Sequence, residues 1–363
     1  MGFEDIGLLF FTVLIFSLFL TPASIHFAEY LGALDQPEGR SVHVKTMPRL
    51  GGIGMALALF IGLVLFLPFE PFVLAYSLGL FVILSIGIAD DIYRVSPMIK
   101  MAAQLVAAIV FIEVSGLMIV DLGDLLSIGN ILLPLPVAYG FTILCIVGVI
   151  NALNLSDGLD GLAAGIALTV CFFLALLALL SQEWLGLSVI AALSGAIFGF
   201  LKFNSYPAKL FMGDTGSLML GYSMATISLL LVSTHRSSVA PISIVLILSM
   251  PVVDTLWVML RRIAQGKSPV RPDKTHLHHR LLLAGLSHPV VVTILYGWMV
   301  VMGVLAMVIQ EEHESIQLVT GAVVTMLFYG VLHWYEKQRA LIGDVGDVGD
   351  VGDVGDVGDV GDV

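Results

Sequence analysis

The sequence predicts an all-α, polytopic integral membrane protein, and three observations carry that prediction. Of the 363 residues 58% are hydrophobic, only 12% are charged, and the apolar residues gather into long runs separated by short polar segments. An average soluble chain carries about 25% charged residues. The mean hydropathy of +1.01 points the same way. A crossing needs about 20 mostly apolar residues, and about eleven transmembrane helices are read at 6–27, 51–69, 72–89, 101–120, 131–150, 161–180, 185–203, 216–233, 240–260, 289–309 and 316–335.

The first run follows Glu4 and Asp5 rather than a basic segment and has no evident small-residue cleavage site, so it is expected to stay as a membrane anchor. Cys145 and Cys171 both fall inside apolar runs, where a thiol acts as a small hydrophobe; no disulfide framework or thiolate metal site is implied. Residues 1–342 are expected to form one transmembrane domain. The last 21 residues, 343–363, are Gly-Asp-Val repeated seven times. They have too little apolar surface to bury a core and are predicted to be disordered. Without those seven acids the net charge of −12 becomes −5, so the acidic balance says little about partners.

Eleven crossings put the termini on opposite sides, and Lys and Arg decide which is which. Fifteen of the sixteen basic residues fall on one set of alternate loops or at the adjoining helix ends, with Arg236 alone opposite. The N-terminus is therefore predicted to be extracytoplasmic and the C-terminus cytoplasmic. The cytoplasmic loops also hold nearly every unusual polar residue: Asp35 to Gly52, Asp90-Asp91, Asn151 to Gly161, Asn204 to Ser217, and Arg261 to Pro289. A site on the cytoplasmic face follows more naturally than a channel, which needs polar groups through the depth of the bilayer.

Within Asn151-Ala-Leu-Asn-Leu-Ser-Asp-Gly-Leu-Asp-Gly161, four amides or carboxylates recur every third residue. Neighbours in such a series touch on a helix, but the last member is turned about half a revolution from the first. Asn154, Asp157 and Asp160 converge only if the helix stops, and Gly158 and Gly161 permit that. Asn151 is then a helix-end support. Asp90 and Asp91 close an apolar span, where acids oppose the helix dipole and adjacent carboxylates invite a hard cation. Phe211-Met-Gly-Asp214-Thr-Gly-Ser217 puts an acid between glycines before another span, where backbone amides approach phosphate oxygens. His276, His278 and His279 lie in the longest basic loop with Arg271, Lys274 and Arg280 and lack a structural-zinc spacing, which favours anion recognition. Lys45, Arg49 and Lys100 are further candidate phosphate contacts. Asp254, about two turns before Arg261, is a functional suspect as an acid at membrane depth, or a partner of Arg261 or Arg262.

Taken together, in this order, these segments resemble the polyprenyl-phosphate N-acetylhexosamine-1-phosphate transferase family (glycosyltransferase 4, the MraY and WecA enzymes). His-Leu-His-His at 276–279 is similar to the WecA-type branch; the MraY type has three consecutive histidines. The resemblance implies transfer of a sugar 1-phosphate, GlcNAc 1-phosphate first, from a UDP-sugar to undecaprenyl or another polyprenyl phosphate. UMP is released and a lipid-linked glycan for a cell-envelope polysaccharide is begun in the bacterial inner membrane. It implies Mg²⁺, with Mn²⁺ as a substitute, and no nucleic-acid partner; a homodimer is left open. By motif position Asp214 is the implied metal ligand, and Asp90 and Asp91 bind metal or activate the lipid phosphate. Asp157, Asp160 and His279 complete the implied catalytic set. Asn154, Asn204, Lys45, Lys100, Arg271, His276 and His278 contact nucleotide or phosphate, and Phe211 stacks on uracil. The amide in place of either Asp91 or Asp214 is expected to abolish transfer in a folded protein.

A lipid monophosphate, with a second pKa near 6, is already largely dianionic, so direct in-line attack is favoured over a covalent aspartyl-phosphate route. Two alternatives within the chemistry are an MraY-type phospho-MurNAc-pentapeptide transferase and a relative using another UDP-N-acetyl sugar. From a different class, an ion-coupled transporter would show inverted repeats and broken helices, and the sequence shows neither an internal repeat nor mid-span polar clusters.

Overall fold

The computed structural model describes residues 2–35, 46–233, 239–268 and 275–346, with side chains through Arg339. They form thirteen helices and one two-stranded ribbon. In chain order these are α1 (Phe3–Leu31), β1 (Leu34–Asp35), β2 (Met47–Pro48), α2 (Gly51–Phe66), α3 (Pro71–Tyr93), α4 (Pro97–Ser115), α5 (Leu135–Leu155), α6 (Leu162–Leu180), α7 (Trp184–Asn204), α8 (Gly213–Ser233), α9 (Pro241–Ile247), α10 (Ser249–Ala264), α11 (Leu277–Leu283), α12 (His288–Val308) and α13 (Glu314–Gly346). The all-α, polytopic expectation holds.

The number of crossings differs from eleven. Among the described residues nine helices are long and apolar enough to span, or ten if α9 and α10 count as one. The expected span at 51–69 is α2, only 16 residues. At 1.5 Å per residue it reaches about 24 Å, short of the ~30 Å hydrocarbon core. Its start is drawn into a loop, Gly51 N–H and Gly52 N–H donating to Phe211 O and Met212 O, and Pro68 follows its last residues. The expected span at 240–260 is broken, with α9 and α10 meeting at 86°. Pro251 lacks an N–H and its ring crowds the carbonyl of Ile247, the last residue of α9. One continuous span at 240–260 is expected from the sequence, and the bend corrects it. The predicted disordered tail lies outside the described residues except for 343–346, over which α13 continues.

Helix α8 is the axis of the bundle, with 94% of its most apolar window buried. It packs against α2, α3, α5 and α6. At several glycines the backbones themselves meet. A Cβ at Gly221 would lie 2.6 Å from Ile150 Cα, and one at Gly87 would lie 2.6 Å from Thr215 Cα. Small residues that let helices touch closely are the usual device where lipid supplies no hydrophobic drive between helices. Tyr76 and Tyr222 fill the adjoining core, with the Tyr76 hydroxyl 2.7 Å from Ser223 Oγ. Gly221→Ala is expected to force α5 and α8 apart and cost about 1–3 kcal/mol, read as a melting temperature several degrees lower in detergent.

Candidate active site

The polar residues meet at one end of the bundle because successive helices deliver them from alternating termini. Asp90 and Asp91 end α3, Lys100 lies in the first turns of α4, Asn154 ends α5, Asn204 ends α7 and Asp214 begins α8. The loop carrying Asp157 and Asp160 joins α5 to α6.

Asp91 is buried and saturated. Its Oδ1 accepts the Asp214 N–H at 2.9 Å; its Oδ2 accepts the Thr215 N–H at 2.9 Å and the Thr215 hydroxyl at 2.6 Å. Arg49 adds a cation 3.7 Å away. The amides at the start of α8, expected to face phosphate oxygens, are thus spent on a carboxylate of the protein itself. Gly213, at φ +68°, makes the approach possible: a Cβ there would meet Arg49 O and both Asp91 oxygens. The resemblance implies that Asp91 binds metal or activates the lipid phosphate; here both of its oxygens accept hydrogen bonds from the start of α8.

Asp90 and Asp214 are arranged differently. The Lys100 ammonium sits between them, 3.2 Å from Asp90 Oδ2 and 2.7 Å from Asp214 Oδ2. Asp90 Oδ1 accepts the Val95 N–H at 2.8 Å, closing the α3–α4 turn. Asn154 hydrogen bonds to Asp214, and its Nδ2 donates to Ser217 Oγ at 2.8 Å. Behind this group Gln104 and Asn151 pair their amides, Asn151 Nδ2 donating to Gln104 Oε1 at 2.6 Å, so Asn151 is the inter-helix support that its register suggests.

Asp157 belongs to the same field. Burial pushes its carboxyl up to about 8, Asp214, Asp91 and Asp160 add in that direction, and Arg49 opposes them. Asp160 Oδ2 accepts the Ala208 N–H at 2.9 Å, so it fixes the loop after α7. Asn204, expected at a diphosphate, is buried with both ends of its amide engaged: Oδ1 accepts the Gly161 N–H at 3.0 Å and Nδ2 donates to Leu210 O at 2.9 Å. Its role here is to clasp two loops, because the α7 terminus points it inward. Phe211 stands at the same loop, its N–H donating to Pro48 O at 2.9 Å.

The histidines arrive from a neighbouring quarter. His278 is buried over Gly158, where a Cβ would strike its Nε2, and its ring lies 4.2 Å from that of His279. Burial, with His279 and His276 adding, lowers the His278 imidazole to about 3, so it stays neutral. Arg280, counted among the anion-binding cations, instead forms a two-pronged pair with Glu336 of α13 at 2.9 and 2.8 Å. Among the described residues Asp254 is hydrogen-bonded to His276 and to the Leu277 N–H. Lys45 and Arg271 lie outside the described residues.

Among the described residues no three His, Cys, Asp or Glu side chains are arranged to cage a metal ion. Magnesium, however, is commonly held by one or two carboxylates with waters and substrate phosphates. The cleft between Asp90 and Asp214, which now receives an ammonium, has the oxygen donors and the charge for such an ion. A separate cavity lies away from these residues. It is an apolar cleft of about 710 Å³ on α1, α6, α7 and α12, containing none of these acids.

Thr215 and Ser217 were missed as site residues. Their signal was present in Asp214-Thr-Gly-Ser217, since hydroxyls beside a helix start pair readily with carboxylates and amides.

Residues 73–232, from α3 to the end of α8, match the model of glycosyl transferase family 4. Over 296 residues the chain is 39% identical to a Bacillus subtilis protein named probable undecaprenyl-phosphate N-acetylglucosaminyl 1-phosphate transferase, covering 79% of this chain and 80% of that one. It is 33% identical to the Mycobacterium tuberculosis decaprenyl-phosphate N-acetylglucosaminephosphotransferase, over 88% of this chain and 87% of that one. An Escherichia coli undecaprenyl-phosphate alpha-N-acetylglucosaminyl 1-phosphate transferase is 28% identical over 77% of this chain and 78% of its own length.

Two tests follow from the geometry. Asp91→Asn turns an amide N–H toward a donor at the start of α8 and should cost about 2 kcal/mol of stability, visible as a lower melting temperature. Asp157 has a folded pKa of about 8, well above the usual carboxylate range near 4, so the ligand-free folded state holds a proton that the unfolded state releases. Stability should then fall as pH rises from about 4 to about 8, and Asp157→Asn should flatten that part of the thermal-shift profile.

Likeness to these relatives over more than two thirds of its length places the chain in glycosyl transferase family 4.

Proposed function

We propose that the protein transfers N-acetylglucosamine 1-phosphate from UDP-N-acetylglucosamine to undecaprenyl or another polyprenyl phosphate, releasing UMP, at the cytoplasmic face of a bacterial inner membrane. The observation that carries this reading is the Lys100 ammonium held between Asp90 and Asp214, a site shaped for positive charge among acids. The names of the relatives supply the acceptor and the sugar. The basic loops support the cytoplasmic orientation, with the N-terminus outside and the C-terminus inside.

Joining two phosphate anions requires cations where they meet. Asp90 and Asp214 would hold Mg²⁺, which when bound supplies charge to the diphosphate. Lys100, at the same cleft, then has phosphate oxygens as alternative partners, and Arg49 stands over the acids from the other side. Asn154 orients Asp214. Asp91 contributes by fixing the start of α8 rather than by binding a ligand. The acceptor phosphate is largely dianionic without a strong base, so direct displacement at the β-phosphate is the simpler course.

The purified protein should release UMP from UDP-N-acetylglucosamine only when undecaprenyl phosphate is present, and chelation of divalent cations should stop it. Asp214→Asn should lower turnover by at least about a thousandfold at an unchanged melting temperature. Wild-type turnover in that variant would remove Asp214 from the reaction. A preference for another UDP-sugar in the same assay would correct the donor.

A further inference from the structure

Asp254 is a buried acid that the proposed reaction does not use. It lies in the second turn of α10, beyond the 86° bend, and is 3% exposed. Each oxygen has one partner. Oδ2 lies 2.9 Å from His276 Nδ1, and Oδ1 accepts the Leu277 N–H at 3.0 Å. His276 is 5% exposed, and its Nε2 has no hydrogen-bond partner among the described residues. Its ring is nearly parallel to that of His278, with centroids 6.2 Å apart, and His278 rests against Gly158 beside Asp157.

A carboxylate accepts only, so the 2.9 Å contact places the imidazole proton on Nδ1. Nε2 is then the nitrogen that takes up a second proton, and in the charged ring it becomes a donor while Nδ1 stays bound to Asp254. An anionic oxygen is the partner such a donor suits. The Leu277 contact removes the remaining freedom by holding the backbone next to the ring. The bend at Pro251 matters because a straight span would carry Asp254 along the direction of α9, away from the histidine helix.

We infer that Asp254 is a positioning residue: it fixes His276 as the Nδ1–H tautomer and turns Nε2 toward a phosphate oxygen of the substrates. The assignment of that oxygen rests on the proposed function; the tautomer does not. Other charged or titratable groups around the pair are His278, His279 and Arg280 of α11, and Tyr329 and Glu336 of α13, and none of them displaces the Asp254 contact.

The test uses the full chain in nanodiscs with ¹⁵N-histidine, observed by solid-state NMR above the histidine pKa, the His276 signal being assigned by its loss in His276→Gln. The wild-type ring should carry its proton on Nδ1. Asp254→Asn keeps an acceptor for Leu277 but offers His276 an N–H, so the proton should move to Nε2. In transfer assays this variant should lose about a hundredfold in kcat, with KM for UDP-N-acetylglucosamine changed less than about twofold. Asp254→Asn combined with His276→Gln should be no worse than His276→Gln alone.

An Nε2–H tautomer in the wild type overturns the proposal whether or not the variant folds. So does unchanged kcat in a folded Asp254→Asn protein, or losses from the two substitutions that multiply. If the wild-type protein transfers no UDP-sugar, the functional reading fails while the NMR result still decides the tautomer.

Discussion

The structure depends on a carboxylate at the start of a buried helix. Asp91 closes α3 by taking two N–H groups and a hydroxyl at the first turn of α8. The first four amides of a helix have no partner within it, and at membrane depth an unsatisfied amide is costly. Here the debt of α8 and the charge of Asp91 cancel each other. The consequence reaches outward, since the same turn sets Asp214 beside Lys100 and Ser217 beside Asn154. Gly213, Gly87 and Gly216 are where they are because backbone must pass within contact distance of backbone at this junction.

Charge at this end of the bundle is unbalanced by design of the fold. Asp90, Asp91, Asp157, Asp160 and Asp214 face only Lys100 and Arg49 among the described residues. Burial raises the pKa of Asp157, and the neighbouring acids add to that shift. A site in this state gains from any added cation and from protonation, and it repels an anion that arrives alone. A diphosphate accompanied by a divalent ion meets both conditions. The histidine quarter is the opposite case, with neutral His278 beside His276 and with Arg280 already neutralised by Glu336. Acids and imidazoles thus gather in neighbouring parts of the same end, His278 lying over Gly158 next to Asp157.

Two supports hold these walls together from a distance. Asn204 and Asp160 tie the α5–α6 loop to the segment after α7 through backbone contacts. The bend after α9 turns α10 so that Asp254 reaches α11. Polar side chains spent on backbone in this way are costly to bury, and they fix one arrangement of loops that otherwise have little apolar surface to hold them.

The sequence by itself determined the class and the neighbourhood of the site. Runs of apolar residues forced helices, because unsatisfied backbone cannot sit in lipid, and the polar residues left between them had to meet at helix ends. Asn151 was legible as a support, from its register alone. Tertiary structure decided what each polar group does. Asp90 and Asp91 are adjacent in sequence, yet one faces Lys100 and the other is consumed by α8, because consecutive helical residues point about 100° apart. Asn204 reads like a ligand-binding amide and is a clasp; Asp254 reads like the partner of a nearby arginine and belongs to a histidine 22 residues later. Those assignments depend on contacts between segments far apart in the chain, and only packing around α8 and the turn at Pro251 brings such segments together.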